Sequence, residues 1–123
     1  MYRNNIVAKS NGIKEINMFS INNNEITISR GDSGQFTIAV NAIVDNQEQA
    51  YEMQEGDTLT FTVKKNANDT AALIQKTGTT INILPTDTAG LTAGDYLYDV
   101  KFESNGDVDH IIQPTRFTVM EAL

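Results

Sequence analysis

The sequence predicts an all-β fold, an antiparallel β-sandwich of about seven short strands, and three observations predict it. The run from Leu91 to Glu103 opens with a turn and then alternates. Tyr96, Tyr98, Val100 and Phe102 take one side, and Asp99, Lys101 and Glu103 the other. Successive side chains of a strand face opposite ways, so this run sets an aromatic-aliphatic row on a core and a charged row in water. A triplet recurs as Phe36-Thr37-Ile38, Phe61-Thr62-Val63 and Phe117-Thr118-Val119. Its Phe and aliphatic residues suit the buried face of a sheet and its Thr the exposed one, and the unequal spacing makes it a reused strand pattern, not a tandem repeat. Finally, no segment sustains a helical period, while turn residues recur at the short intervals of a strand-rich domain.

Taken in order, Ile26 to Arg30 alternates and ends at Gly31-Asp32-Ser33-Gly34, which joins it to a strand from Gln35 to Val40. Gly56-Asp57 precedes a strand from Thr58 to Lys64. Asn66-Ala67-Asn68-Asp69 turns the chain before Ala71 to Lys76, and Gly78 introduces Thr79 to Leu84. Pro85 to Gly90 reads as one helical turn, with Thr86 as its cap and Gly90 in the left-handed closing conformation. Ser104-Asn105-Gly106-Asp107 contains Asn-Gly, the strongest short hairpin signal, and returns the chain through Val108 to Gln113. Pro114 cannot donate to a ladder, so it marks a break or an edge before Arg116 to Met120.

The sandwich is assigned to residues 25–123. Residues 1–24 are polar, Asn-rich and loosely patterned, with Ser10-Asn11-Gly12 as a possible hairpin turn. They read either as an extra strand or hairpin or as an arm that reaches a neighbouring subunit; fully extended, such an arm spans up to ~80 Å.

Length and composition narrow the function classes. A chain of 123 residues suits one domain that buries roughly two-thirds of its unfolded surface, so its core needs no staple. Cysteine is absent, which removes thiol catalysis, zinc-thiolate sites and disulfides. Sixteen acidic against nine basic residues leave a net charge of −7, and only Lys64-Lys65 are adjacent cations. Phosphate backbones and anionic membranes are poor partners for such a surface. The start has no signal-peptide pattern and no membrane span is evident, so residence in the cytosol is expected.

Several motifs resemble functional sites. Gly31-Asp32-Ser33-Gly34 matches a serine-protease nucleophile tetrad, but His110 is the single histidine and sits beside a hairpin turn, so a loop is the reading here. Arg30-Gly31-Asp32 matches an adhesion tripeptide and is likewise read as a turn. Asp107, Asp109 and His110 are read as polar hairpin residues, with a weak cation site as the lesser alternative. Asn68-Asp69-Thr70 satisfies a glycosylation sequon and is read as a turn. Asp95 and Asp99 are read as solvated strand positions, since no second carboxylate at a matching distance is identified. Tyr51, Tyr96 and Tyr98 are suited to stacking on sugars but are assigned to core packing. No catalytic, cofactor-binding or metal-binding residue is assigned, and no cofactor is expected.

Ile26-Thr27-Ile28-Ser29-Arg30-Gly31-Asp32, Tyr51 to Lys65, and Leu84 to Val100 together resemble the small immunoglobulin-like domains of tailed bacteriophages and prophages. The N-terminal domain of baseplate upper proteins is the similar case to name first. The shared elements are the Ile-Thr run into Arg-Gly-Asp, Gly56-Asp57-Thr58 leading to Phe61 and Lys64-Lys65, and Gly94-x-Tyr96-x-Tyr98-Asp99-Val100. The Leu91, Gly94, Tyr96 spacing likewise resembles the tyrosine corner of immunoglobulin-like sandwiches, which implies that the Tyr96 phenol tethers the preceding turn. The resemblance covers roughly residues 25–121. It implies an immunoglobulin-like sandwich with a non-enzymatic structural role in the tail or baseplate, or as an accessory subunit. It implies other virion proteins as partners, a homo-oligomer in the assembled particle, and location in the virion after assembly in the bacterial host cytoplasm. Baseplate upper proteins continue beyond this domain, whereas the sequence stops at Leu123 after its last strand, which favours a free-standing accessory protein. A host-surface or carbohydrate-binding module is the alternative.

Overall fold

A computed structural model describes residues 5–10, 20–22 and 24–121. Within them lie ten strands and one short helix. The strands are β1 (Asn5–Ser10), β2 (Ser20–Asn22), β3 (Glu25–Ser29), β4 (Gly34–Val44), β5 (Gln47–Ala50), β6 (Thr58–Lys64), β7 (Ile74–Thr77), β8 (Thr80–Ile83), β9 (Gly94–Ser104) and β10 (Asp107–Met120). The helix α1 is Pro85–Ala89, between β8 and β9. The chain is therefore mostly β, as its alternation predicts, and it forms two sheets.

The first sheet runs β1-β4-β5, with β8 also paired to β4. Gly34 to Thr37 of β4 pair with β8 and Asn41 to Val44 with β5, while β1 pairs with Phe36 to Asn41. Phe36 and Thr37 pair with both β1 and β8, and Asn41 with both β1 and β5. It follows that β5 and β8 share one side of β4 and β1 takes the other. The second sheet runs β2-β3-β10-β9-β6-β7.

One core joins the two sheets. Phe36, Ile38, Val40, Ile81 and Ile83 come from the first sheet, and residues from Ile26 to Val119 come from the second. The predicted row on β9 is buried, with Tyr96, Tyr98, Val100 and Phe102 each 5% exposed or less. The three phenylalanines of the recurring triplet are all fully buried. They converge on Phe61, whose ring lies 5.4 Å from Phe36 across the sheets and 6.2 Å from Phe117, with Tyr98 at 5.2 Å. Such pairs contribute about 0.5–1.5 kcal/mol each beyond the area they bury. A two-residue interval between inward side chains therefore builds a single aromatic centre from distant stretches of chain.

Five expectations are corrected. Ten strand segments replace seven. β5 was missed because its four residues, Gln47-Glu48-Gln49-Ala50, are all exposed and carry no alternation. Asp45 and Asn46 make its turn, both at positive φ (53° and 64°), as a two-residue hairpin of this type requires. The sandwich is not wholly antiparallel, since β3 runs parallel to β10 with Ile26 beside Phe117 and Ile28 beside Val119. Pro114 marks the expected break in the ladder but does not end its strand. β10 continues to Met120, and its register with β9 shifts between His110 and Ile112 and again between Ile112 and Thr115. At α1, Thr86 is not the cap. The Asp87 carboxylate reaches back to accept the Leu84 N–H at 2.7 Å, and Gly90 sits at φ −93°, outside the left-handed region.

The predicted Asn-Gly hairpin is present, with Asn105 and Gly106 both at positive φ and Ser104 opposite Asp107. Within the stretch assigned to an arm or extra strand, β1 joins the first sheet and β2 the second. The Asn11-Gly12 part of the proposed turn at Ser10 lies outside the described residues. No helix among the described residues is long and apolar enough to cross a membrane.

Candidate functional site

The loop of residues 30–33 carries two of the motifs and is held by local contacts. Arg30 donates from Nη2 to Glu121 at 2.6 Å and from Nη1 to the Leu91 carbonyl at 3.4 Å. Its guanidinium thereby ties β3 to the segment after β10. Gly31 donates its N–H to the fully buried Thr88 hydroxyl at 2.9 Å, and the Asp32 N–H closes a turn on the Ser29 carbonyl at 3.0 Å. Ser33 lies just before β4 in the first sheet, whereas His110 lies on β10 in the second. The fold does not assemble the two as a nucleophile and its base.

Asp107, Asp109 and His110 are exposed at the start of β10. Among the described residues no three His, Cys, Asp or Glu side chains are grouped to hold a metal ion. The sequon Asn68-Asp69-Thr70 falls in the loop between β6 and β7, where the Asp69 carboxylate accepts the Asn66 N–H at 3.0 Å. Asp95 and Asp99 share the outer face of β9, four residues apart. At ~3.4 Å per residue their backbones stand about 14 Å apart, beyond the ~5–9.5 Å between paired glycosidase carboxylates. Asp95 instead accepts the Thr118 hydroxyl at 2.9 Å.

The tyrosines are placed by packing. Tyr98 is 1% exposed and donates to the Asn24 carbonyl at 2.6 Å, and burial pushes its phenol well above the ordinary tyrosine pKa. Tyr96 donates to the Thr92 carbonyl at 2.6 Å, tethering the preceding turn, and carries the Lys65 ammonium over its ring at 4.6 Å. Tyr51 is half-buried, packing edge-on against Phe102 at 5.7 Å. Its hydroxyl donates to Asp57 at 2.5 Å, and the Gln54 N–H donates to the same carboxylate at 2.8 Å. Hydrogen bonds from Ser104, Tyr51 and the Gln54 backbone together hold the Asp57 carboxyl below the usual aspartate pKa. This cluster locks the crossover from β5 to β6.

Two surface depressions were not anticipated. One, of about 200 Å³, opens on the outer face of the second sheet, among Thr60, Thr62 and Lys64 of β6, Gln75 of β7, Asp99 and Lys101 of β9, and His110 of β10. The polar half of each strand's alternation was legible, but only the pairing register makes these residues neighbours. The other, of about 350 Å³, lies at Ser33, Gly34, Gln35, Asn82, Ile83 and Leu84, where the start of β4 pairs with the end of β8. Leu84 is 49% exposed there. No protein-family description, curated protein or solved structure matches this chain.

Proposed function

We propose that this chain is a non-enzymatic structural subunit of a bacteriophage or prophage virion, in the tail or baseplate or as an accessory component, that works by docking to other virion proteins. The observation that carries docking is the edge at β8. Thr80-Ile81-Asn82-Ile83 has no charge and no proline, and among the described residues its outer side pairs with no strand. Sheet edges are usually blunted by charge, proline or a bulge, because unpaired backbone groups invite another strand. Here the edge strand runs directly into exposed Leu84, which adds apolar contact to backbone pairing.

The finer fold reading is immunoglobulin-like. The order β10-β9-β6-β7 corresponds to strands G-F-C-C′ of such a sandwich, and β1-β4-β8 to A-B-E. The tether from Tyr96 sits at the start of the strand corresponding to F, where a tyrosine corner belongs. These correspondences support the immunoglobulin-like part of the resemblance drawn from the sequence. A homo-oligomer, held through edges and loops, is the assembled form that the resemblance implies.

The test is direct. Particles purified from the source bacterium are expected to contain the chain by mass spectrometry, and a Thr80→Lys/Asn82→Lys variant is expected to fold but not to be incorporated. Absence from purified particles overturns the virion assignment, whereas normal incorporation of the variant overturns docking through β8 alone.

A further inference from the structure

We propose that the depression on the outer face of the second sheet binds a single unit of an acidic saccharide, a sugar bearing a carboxylate or a phosphate. This goes beyond the docking role and gives the carbohydrate-binding alternative a specific site. Strand register builds it. Thr62 stands opposite Gln75 on one side and Asp99 on the other, while Thr60 stands opposite Lys101, itself opposite His110. Adjacent strands lie about 4.8 Å apart, so these two rows form one compact polar floor.

The charges in that floor call for an anion. The chain has nine Lys and Arg and one His, and three of those ten basic residues (Lys64, Lys101 and His110) line this one depression of a protein with net charge −7. Lys101 and His110 are direct cross-strand neighbours, so an ammonium and an imidazole N–H donor stand side by side. An anion bound between them accepts from both. Among the described residues Lys64 makes no ion pair, and Lys101 meets only Glu103, at 3.8 Å on the half-exposed rim.

The remaining groups call for hydroxyls. Asp99 forms no ion pair with either lysine among the described residues, which leaves its carboxylate to accept from a ligand. A carboxylate repels a bare anion but suits a hydroxyl donor on one. Thr60 and Thr62 add hydroxyls, and the Gln75 amide is oriented by its bond to Thr62 at 3.3 Å. Cations without Asp99 would suit simple phosphate, and Asp99 without the cations would suit a neutral sugar. The volume, about 200 Å³, is below the roughly 300–1,000 Å³ of sites for drug-sized ligands, which limits the occupant to one sugar unit.

Titration of the intact chain with D-glucuronate, D-glucose 1-phosphate and D-glucose, followed by calorimetry and by backbone amide NMR shifts, tests this. At least one acid is expected to bind about tenfold or more tightly than glucose, with shifts centred on Thr60, Thr62, Asp99 and His110. The acid that binds tells a carboxylate-bearing polymer from a phosphate-linked one. Lys64→Gln/Lys101→Gln is expected to weaken that acid about tenfold. Arg116→Gln, which removes a cation outside the depression, leaves it unchanged. Glucose binding as well as the acids, no acid binding, shifts elsewhere, or equal loss in Arg116→Gln would each overturn the proposal.

Discussion

The phenol of Tyr96 and the carbonyl of Thr92 are joined by a 2.6 Å hydrogen bond across the bend that leads from α1 into β9. The ring is buried while its hydroxyl reaches back to the turn, so one side chain both packs the core and sets where the strand begins. Tyr96→Phe keeps the ring and removes the tether. Its expected cost is about 0.5–1.5 kcal/mol, read from urea unfolding. An unchanged midpoint would mean that packing alone holds the bend.

Tyr98 makes a second phenol tether, to Asn24, from a more deeply buried position. Burial raises its pKa, so the folded chain holds this proton more tightly than the unfolded chain does. The associated stability is complete below the ordinary tyrosine value of 10.0 and is lost as pH rises beyond it towards the raised folded value. Stability measured from pH 9 upward should therefore fall less steeply in Tyr98→Phe than in the parent. Parallel curves would count against the burial account.

At the opposite end of the scale stands Asp57, whose folded pKa lies below 3.8 because Ser104, Tyr51 and the Gln54 backbone donate to the ionised form. The unfolded chain binds this proton more readily. Its stabilisation is accordingly present above the unfolded pKa and disappears as pH falls through the folded one. Asp57→Asn should be less stable than the parent at pH 7, with the gap closing as the pH is lowered through the carboxylate range. Thermal melts at pH 7, 5 and 3 measure it, and a gap that widens in acid would refute it.

Thr88 is fully buried on α1 and accepts the Gly31 N–H. Thr88→Val keeps the shape but leaves that N–H without its partner, at an expected cost of about 1–3 kcal/mol. Thr88→Ser, which retains the hydroxyl, should lose less. Urea unfolding of the pair separates the hydrogen bond from the packing.

Two glycines should respond in opposite directions. Gly106 occupies the hairpin at φ 87°, where an L side chain is strained, although an added Cβ meets nothing within 4 Å. Gly106→Ala should cost about 1 kcal/mol. Gly90, at φ −93° with the same open surroundings, should gain about 0.4–1 kcal/mol as alanine through loss of unfolded-state freedom. Differential scanning of both variants checks the contrast.

Much of the strand content was legible, because alternation is a local property. The row from Tyr96 to Phe102, the repeated Phe-Thr triplet and the Asn105-Gly106 turn each state their own burial or backbone geometry within a few residues. β5 was not legible, since a short exposed hairpin arm writes no hydrophobic period. The cap at α1 was misassigned because Thr86 and Asp87 are both plausible acceptors, and only the backbone path decides which reaches Leu84. The polar depression was invisible for a related reason: Thr62, Asp99 and Gln75 are far apart along the chain and become neighbours only through register.

The amino-acid order by itself determined the all-β character and which face of most strands is buried, since steric alternation and solvent exclusion act on each strand separately. Tertiary structure alone decided the parallel union of β3 with β10, the convergence of three phenylalanines on one centre, the edge of β8 that stays unpaired among the described residues and the make-up of the polar floor. Those depend on which distant strands meet and in what register, and that is settled by the free energy of the whole core, not by any one segment.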